Sequence, residues 1–174
     1  MNNQCHMKIN RQMAILATIR KLQFATRRHL MSVHDMGGNR ILGDLKPYVS
    51  KTMQGKEYVY YLNKEGHAMF GEDGKVVSRG KLAHALLRNE AWLHLFCSDD
   101  WQIETDIRYI KNKEKKKIVP DVKFRDEEGI LHAVEIDRSQ KIKFNEEKLK
   151  NMKNSHKYID KSITRKCQLF IFLQ

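Results

Sequence analysis

The chain contains only two prolines and three cysteines among its 174 residues, and no long apolar run. Cys5, Cys97 and Cys167 are odd in number, far apart and without CxxC spacing. That excludes a disulfide framework or a structural zinc site and points to a reducing cytoplasm. Cys97 and Cys167 lie beside apolar residues, as buried thiols do. No stretch nears the roughly 18 apolar residues of a membrane span. The opening MNNQCHMKIN lacks the apolar core of a signal peptide, so no membrane partner is expected. There is no Walker glycine loop and no dinucleotide fingerprint, which excludes a nucleotide-driven motor. The eight histidines (6, 29, 34, 67, 84, 94, 132 and 156) never adopt the paired spacing of a zinc-protease helix. They read as surface or packing residues.

Acidic residues are also in deficit. Lys and Arg number 33 against 21 Asp and Glu, a formal net charge of +12. So basic a surface favours polyanions, of which nucleic acid is the commonest. A generic basic interaction module is the bland alternative. At this length the chain can bury one good core or two small ones.

The rhythm changes along the chain. Ile15, Leu16, Ile19 and Leu22 recur at helical spacing, so residues 9–23 form an amphipathic helix. Thr26 suits the N-cap of a short helix bearing Arg27 and Arg28. Asn39 would cap a third helix that carries Arg40 and ends before Pro47. Two β-prone runs, 49–53 and 57–62, flank a turn containing Gly55 and read as a hairpin. Three helices and a hairpin follow the order of a winged helix-turn-helix spanning 8–70. Arg27, Arg28, Arg40, Lys46, Lys51 and Lys56 would then face the phosphates of double-stranded DNA. A polar linker is expected over 71–80, followed by a second domain over 81–174.

That second half reads as a helix over 81–96 and a strand over 101–109. A charged turn over 111–117 comes next, then strands 118–125 and 130–138, a helix over 145–159 and an apolar strand over 167–173. The order is α-β-β-β-α-β, in an α+β fold. The last strand would offer an edge on which a second copy could pair, giving a homodimer. Within this frame the acids become conspicuous. Asp121 on one strand and Glu135 and Asp137 on the next gather carboxylates in a basic protein. Hard oxygen ligands of this kind suit Mg²⁺ or Mn²⁺ next to a phosphodiester. Glu104 or Glu90 would add a further carboxylate. The plain alternative is that these are solvated strand residues paired with lysines.

Pro120-Asp121 followed by Glu135 in such a frame resembles the PD-(D/E)XK nuclease fold. More narrowly, YYLNKEG (60–66), LLRNE (86–90), PDVKF (120–124) and VEIDRSQ (134–140) together resemble the replication-relaxation family of plasmids and mobile elements. The resemblance implies a winged helix joined to a nuclease-like domain, with Asp121 and Glu135 as metal-binding and catalytic carboxylates. It also implies a lysine two residues after Glu135, where this chain has Asp137. Lys148 could substitute from the following helix, Asp137 could be a third ligand, or the site could be inactive. Gln140 would orient a base or water, or simply start a helix. Two functions stay open: a metal-dependent nickase, and a non-enzymatic regulator or relaxosome accessory factor that uses the nuclease fold as scaffold.

Overall fold

A computed structural model of the chain describes residues 3–35, 40–72, 78–95, 98–111, 113–137, 158–164 and 167–173. Their backbone falls into two compact units, Met1–Asn89 and Glu90–Gln174.

In the first unit, helix α1 (Asn3–Leu22) buries Ile15, Leu16, Ile19 and Leu22, the face expected from their spacing. It stops at Gln23, whose φ of +64° turns the chain out of the helix. Strand β1 (Ala25–Thr26) leads directly into α2 (Arg27–Met31). Thr26 caps α2 as anticipated: its Oγ1 accepts the His29 N–H at 3.3 Å. His29 Nδ1 in turn accepts the Thr26 N–H at 3.2 Å. Two orphan donors are thereby satisfied reciprocally, with a buried histidine in the place usually taken by Glu or Gln. Helix α3 (Arg40–Asp44) is a single short turn, and Leu45 behind it is buried.

The expected hairpin forms from β2 (Val49–Gln54) and β3 (Glu57–Leu62), with Gln54 opposite Glu57 and Gly55 in the turn at a φ of +62° that suits glycine. β1 pairs with the other edge of β3, giving the order β1-β3-β2. Helix α4 (Lys64–Ala68) follows. Helix α5 (Leu82–His94) then brings Leu82 and Ala85 onto Phe24, Val59 and Tyr61. Its buried stripe continues through Arg88, Asn89, Ala91 and Trp92, and Leu93 is half-buried. The division between the units falls inside this helix.

The second unit departs from expectation in three places. The strand expected over 101–109 breaks after β4 (Gln102–Ile103), because Glu104 adopts a φ of +47° and Thr105 Oγ1 bonds back to Ile103 O at 3.0 Å. The chain resumes as β5 (Ile107–Lys111), which pairs with β6 (Glu114–Ile118). The lysine-rich segment expected to be a turn is therefore mostly strand. Solvated lysines pair as strands when the register lets their backbone bonds close, and Lys113 (φ +65°) supplies the tight reversal. Finally, the strand expected over 118–125 is divided: Ile118 ends β6, and only β7 (Val122–Arg125) forms the expected hairpin with β8 (Leu131–Asp137), which pairs with β10 (Cys167–Leu173), itself paired with β9 (Tyr158–Thr164).

The sheet order is β4-β7-β8-β10-β9, and each of these pairings is antiparallel. β10 thus lies inside the sheet, and the edge expected there belongs to β9. Of the helix expected over 145–159, residues 158–159 are strand and the rest lie outside the described residues, as do 73–77 of the expected linker. The architecture is mixed α+β with small antiparallel sheets. No described helix is long and apolar enough to cross a membrane.

Candidate functional site

The register of the second unit sorts its side chains onto two faces, because directly opposed residues in an antiparallel pair point the same way. Ile103 lies opposite Val122, Val122 opposite Val134, and Phe124 opposite His132. This face is apolar. Val122, Phe124, Val134 and Ile136 are buried, and Phe124 stacks on His132 at 4.6 Å between ring centroids. Trp101 adds a second ring, 5.7 Å from Phe124.

The other face carries the charge. Gln102 opposes Lys123, and continuing that register by one residue sets Glu104 beside Asp121. The backbone bond from Glu104 N to Asp121 O, 3.1 Å, closes that pairing. Asp121, the residue before β7, accepts the Ile136 N–H of β8 through Oδ2 at 2.8 Å. Its side chain is thus tied to the backbone next to Glu135, with Glu104 bonded to its carbonyl just past the end of β4. Glu135 is only 7% exposed. A carboxylate kept out of water on a central strand is costly, so it has a structural partner or a chemical task.

A polar cleft of about 490 Å³ opens on this unit, lined by Asp100, Gln102, Asp106, Arg108, Lys123 and Arg125 among others. Lys123 Nζ donates to Asp106 O at 2.9 Å, and Arg125 N donates to Asp100 Oδ2 at 3.2 Å. The Arg108 guanidinium bonded to Asp106 holds that carboxyl below its ordinary range. Lys123 and Arg125 alternate along β7, with Asp121 just before that strand, a signal present in the sequence but overshadowed by the acids. Beyond the strand, His132 Nε2 and Asp126 Oδ2 lie 2.6 Å apart, and this bond lowers the Asp126 pKa.

Whether these residues fit a divalent ion is decided by their number. Asp121 has one oxygen committed to a backbone N–H, and among the described residues no three His, Cys, Asp or Glu side chains gather as a metal-holding set. The expected trio of Asp121, Glu135 and Glu104 does not form one, and no metal-dependent step follows from it. The backbone of Asp137 pairs with Gln168. Gln140 and Lys148 lie outside the described residues.

In the first unit, Arg28, Lys46, Lys51 and Lys56 are exposed and Arg27 is half-buried. Arg40 opens α3, and Lys51 Nζ sits 4.3 Å above the Tyr58 ring, a cation–π contact across the β2–β3 hairpin.

The family model described as replication-relaxation matches residues 16–162, most of the chain. The chain belongs to the replication-relaxation family. No curated protein and no solved structure gives a match. Of the four segments that resemble replication-relaxation proteins, two do structural work. In YYLNKEG, Asn63 caps α4 by accepting the Gly66 N–H at 2.8 Å and donates to Pro47 O at 2.9 Å. A Cβ on Gly66 would collide with the Tyr48 carbonyl oxygen. In LLRNE, Arg88 donates to Gln23 Oε1 at 2.9 Å, while the Asn89 amide bonds Leu22 O and Phe24 O. The Asn89 bonds satisfy backbone carbonyls where α1 ends, and Arg88 holds the side chain of Gln23 at the turn that follows. PDVKF supplies the Asp121 carboxylate that bonds the backbone of Ile136 in VEIDRSQ.

Proposed function

We propose that this replication-relaxation protein binds duplex DNA in the replication or relaxation of a plasmid or other mobile element, with its first unit acting as a winged helix-turn-helix. The observation that carries the reading is topological. The order α1-β1-α2-α3-β2-β3, with β1 hydrogen-bonded to β3, sets two short helices between a stub strand and a hairpin. That is how a helix and a wing are presented together to a groove. Arg27 and Arg28 in the first turn of α2, Arg40 and Lys46 around α3, and Lys51 and Lys56 on the hairpin supply cations for phosphates. Fluorescence anisotropy with labelled duplex across a salt series tests it. A steep linear fall of log K with log salt is expected, and a flat response removes DNA from the account.

For the second unit, Asp121 tied to the strand that carries the buried Glu135 favours a PD-(D/E)XK-like nuclease lineage. An active member would need Mg²⁺ or Mn²⁺ and more oxygen donors than the described residues gather here. The acidic Asp137 in the place of a lysine and the antiparallel last strand favour a frame that has left catalysis, serving as scaffold in a regulator or accessory factor. Incubating supercoiled plasmid with either ion separates the two. Nicking lost in Asp121→Asn supports the enzyme, and intact plasmid under both ions supports the scaffold. A homodimer through the β9 edge is part of the scaffold reading, and light scattering of the purified chain measures it.

A further inference from the structure

Strands β5 and β6 pair with each other and belong to neither larger sheet. They form a two-stranded ribbon, and its register sorts the residues sharply. Arg108 opposes Lys117 and Ile110 opposes Lys115, so these four share one face. All four are exposed, with Ile110 at 74%. The opposite face carries Ile107 and Ile118, both half-buried, as well as Lys116 and Glu114. The ribbon is therefore seated by one apolar pair at its base, while its outward face holds three cations around an isoleucine and no acid.

The acid that does reach this face is shared. Asp106 lies 2.8 Å from Arg108 and 3.9 Å from Lys117, and the side chains of Arg108 and Lys117 remain 83% and 60% exposed. Exposed pairs of this kind are weak and exchange readily for a stronger anion. A two-stranded ribbon has the width of a DNA groove, and groove-bound ribbons set cations on the flanking phosphates while an apolar tip meets the base stack.

We propose that the β5–β6 ribbon is a second duplex-DNA contact, with Arg108, Lys115 and Lys117 on backbone phosphates and Ile110 directed at the bases between them. This rests on the DNA-binding reading above, but on residues that reading does not use.

The test is anisotropy of the full chain on duplex across a salt series. The triple variant Arg108→Gln, Lys115→Gln, Lys117→Gln should flatten the slope of log K against log salt by about 2 to 3, close to one for each phosphate no longer neutralised. Lys115→Gln alone should flatten it by about 0.9. Ile110→Ser should leave the slope unchanged and weaken binding by about five- to tenfold. Thermal melting of each variant at the wild-type temperature shows that the ribbon still folds. If the wild type binds with a steep slope and the triple variant keeps it, the ribbon proposal falls and the DNA reading stands. If the wild type itself shows no salt-dependent binding, both fall. An unchanged affinity for Ile110→Ser removes the base-directed role of the isoleucine.

Discussion

The Asp121 carboxylate accepts the backbone N–H of Ile136 at 2.8 Å, so the residue expected to hold a metal also fastens the two strands of its own hairpin. Truncation and charge removal should therefore differ. Asp121→Ala loses a charge-assisted bond and should cost about 1.5–3 kcal/mol of stability. Asp121→Asn keeps an acceptor oxygen and should cost less than about 1 kcal/mol. Denaturant melts of the two variants read this directly. Equal losses would mean that the bond contributes nothing, and the Asn variant is then the clean probe for plasmid nicking.

Gly66 has no room for a methyl group. A Cβ there would overlap the Tyr48 carbonyl oxygen and sit 3.2 Å from Leu62 Cβ, and Tyr48 O already accepts the Asn63 N–H at 3.1 Å. Gly66→Ala should destabilise the chain by about 1–3 kcal/mol through overpacking, although alanine is the better helix former. A melting temperature at or above wild type would contradict this packing.

Asn89 reaches from α5 to the carbonyls of Leu22 and Phe24 at the end of α1. Asn89→Ala leaves both without that donor and should cost about 1–3 kcal/mol. Amide exchange should then quicken in the last turn of α1. Loss of stability with unchanged exchange there would place the effect elsewhere.

His34 Nε2 lies 2.8 Å from Thr18 Oγ1, and burial, followed by the nearby Arg11 guanidinium, lowers its pKa from the ordinary value. A histidine whose folded pKa is depressed takes up its proton in the unfolded chain first. Stability should therefore hold above about pH 6.5 and decline as the pH falls toward the folded pKa. His34→Gln should remove that part of the acid-side decline. An unaltered pH profile of the melting temperature would sink the assignment.

Much of the first unit was legible because local rules decided it. Helical spacing of Ile15, Leu16, Ile19 and Leu22, the Thr26 cap and the glycine turn at 55 each act within a few residues, and each appears where expected. The second unit was legible in part. The hairpin of β7 and β8 was legible, since the short connection between them leaves few registers. The 101–117 segment misled, because strict alternation cannot register a single left-handed residue such as Glu104. Nor does a run of lysines signal a strand until a partner closes its backbone bonds. The importance of LLRNE was visible as a resemblance, but its task was not. Arg88 and Asn89 act on a helix end about 65 residues away in sequence.

By itself the sequence determined the charge of the protein, its family and the β7–β8 hairpin, since composition, ordered motifs and a tight hairpin are all local. Only the tertiary structure decided that β10 lies inside the sheet, that Asn63 and Asn89 serve caps, and that the lysine-rich segment stands as a ribbon. Those outcomes depend on which distant groups find one another, and apart from the prolines every residue offers the same backbone donor and acceptor.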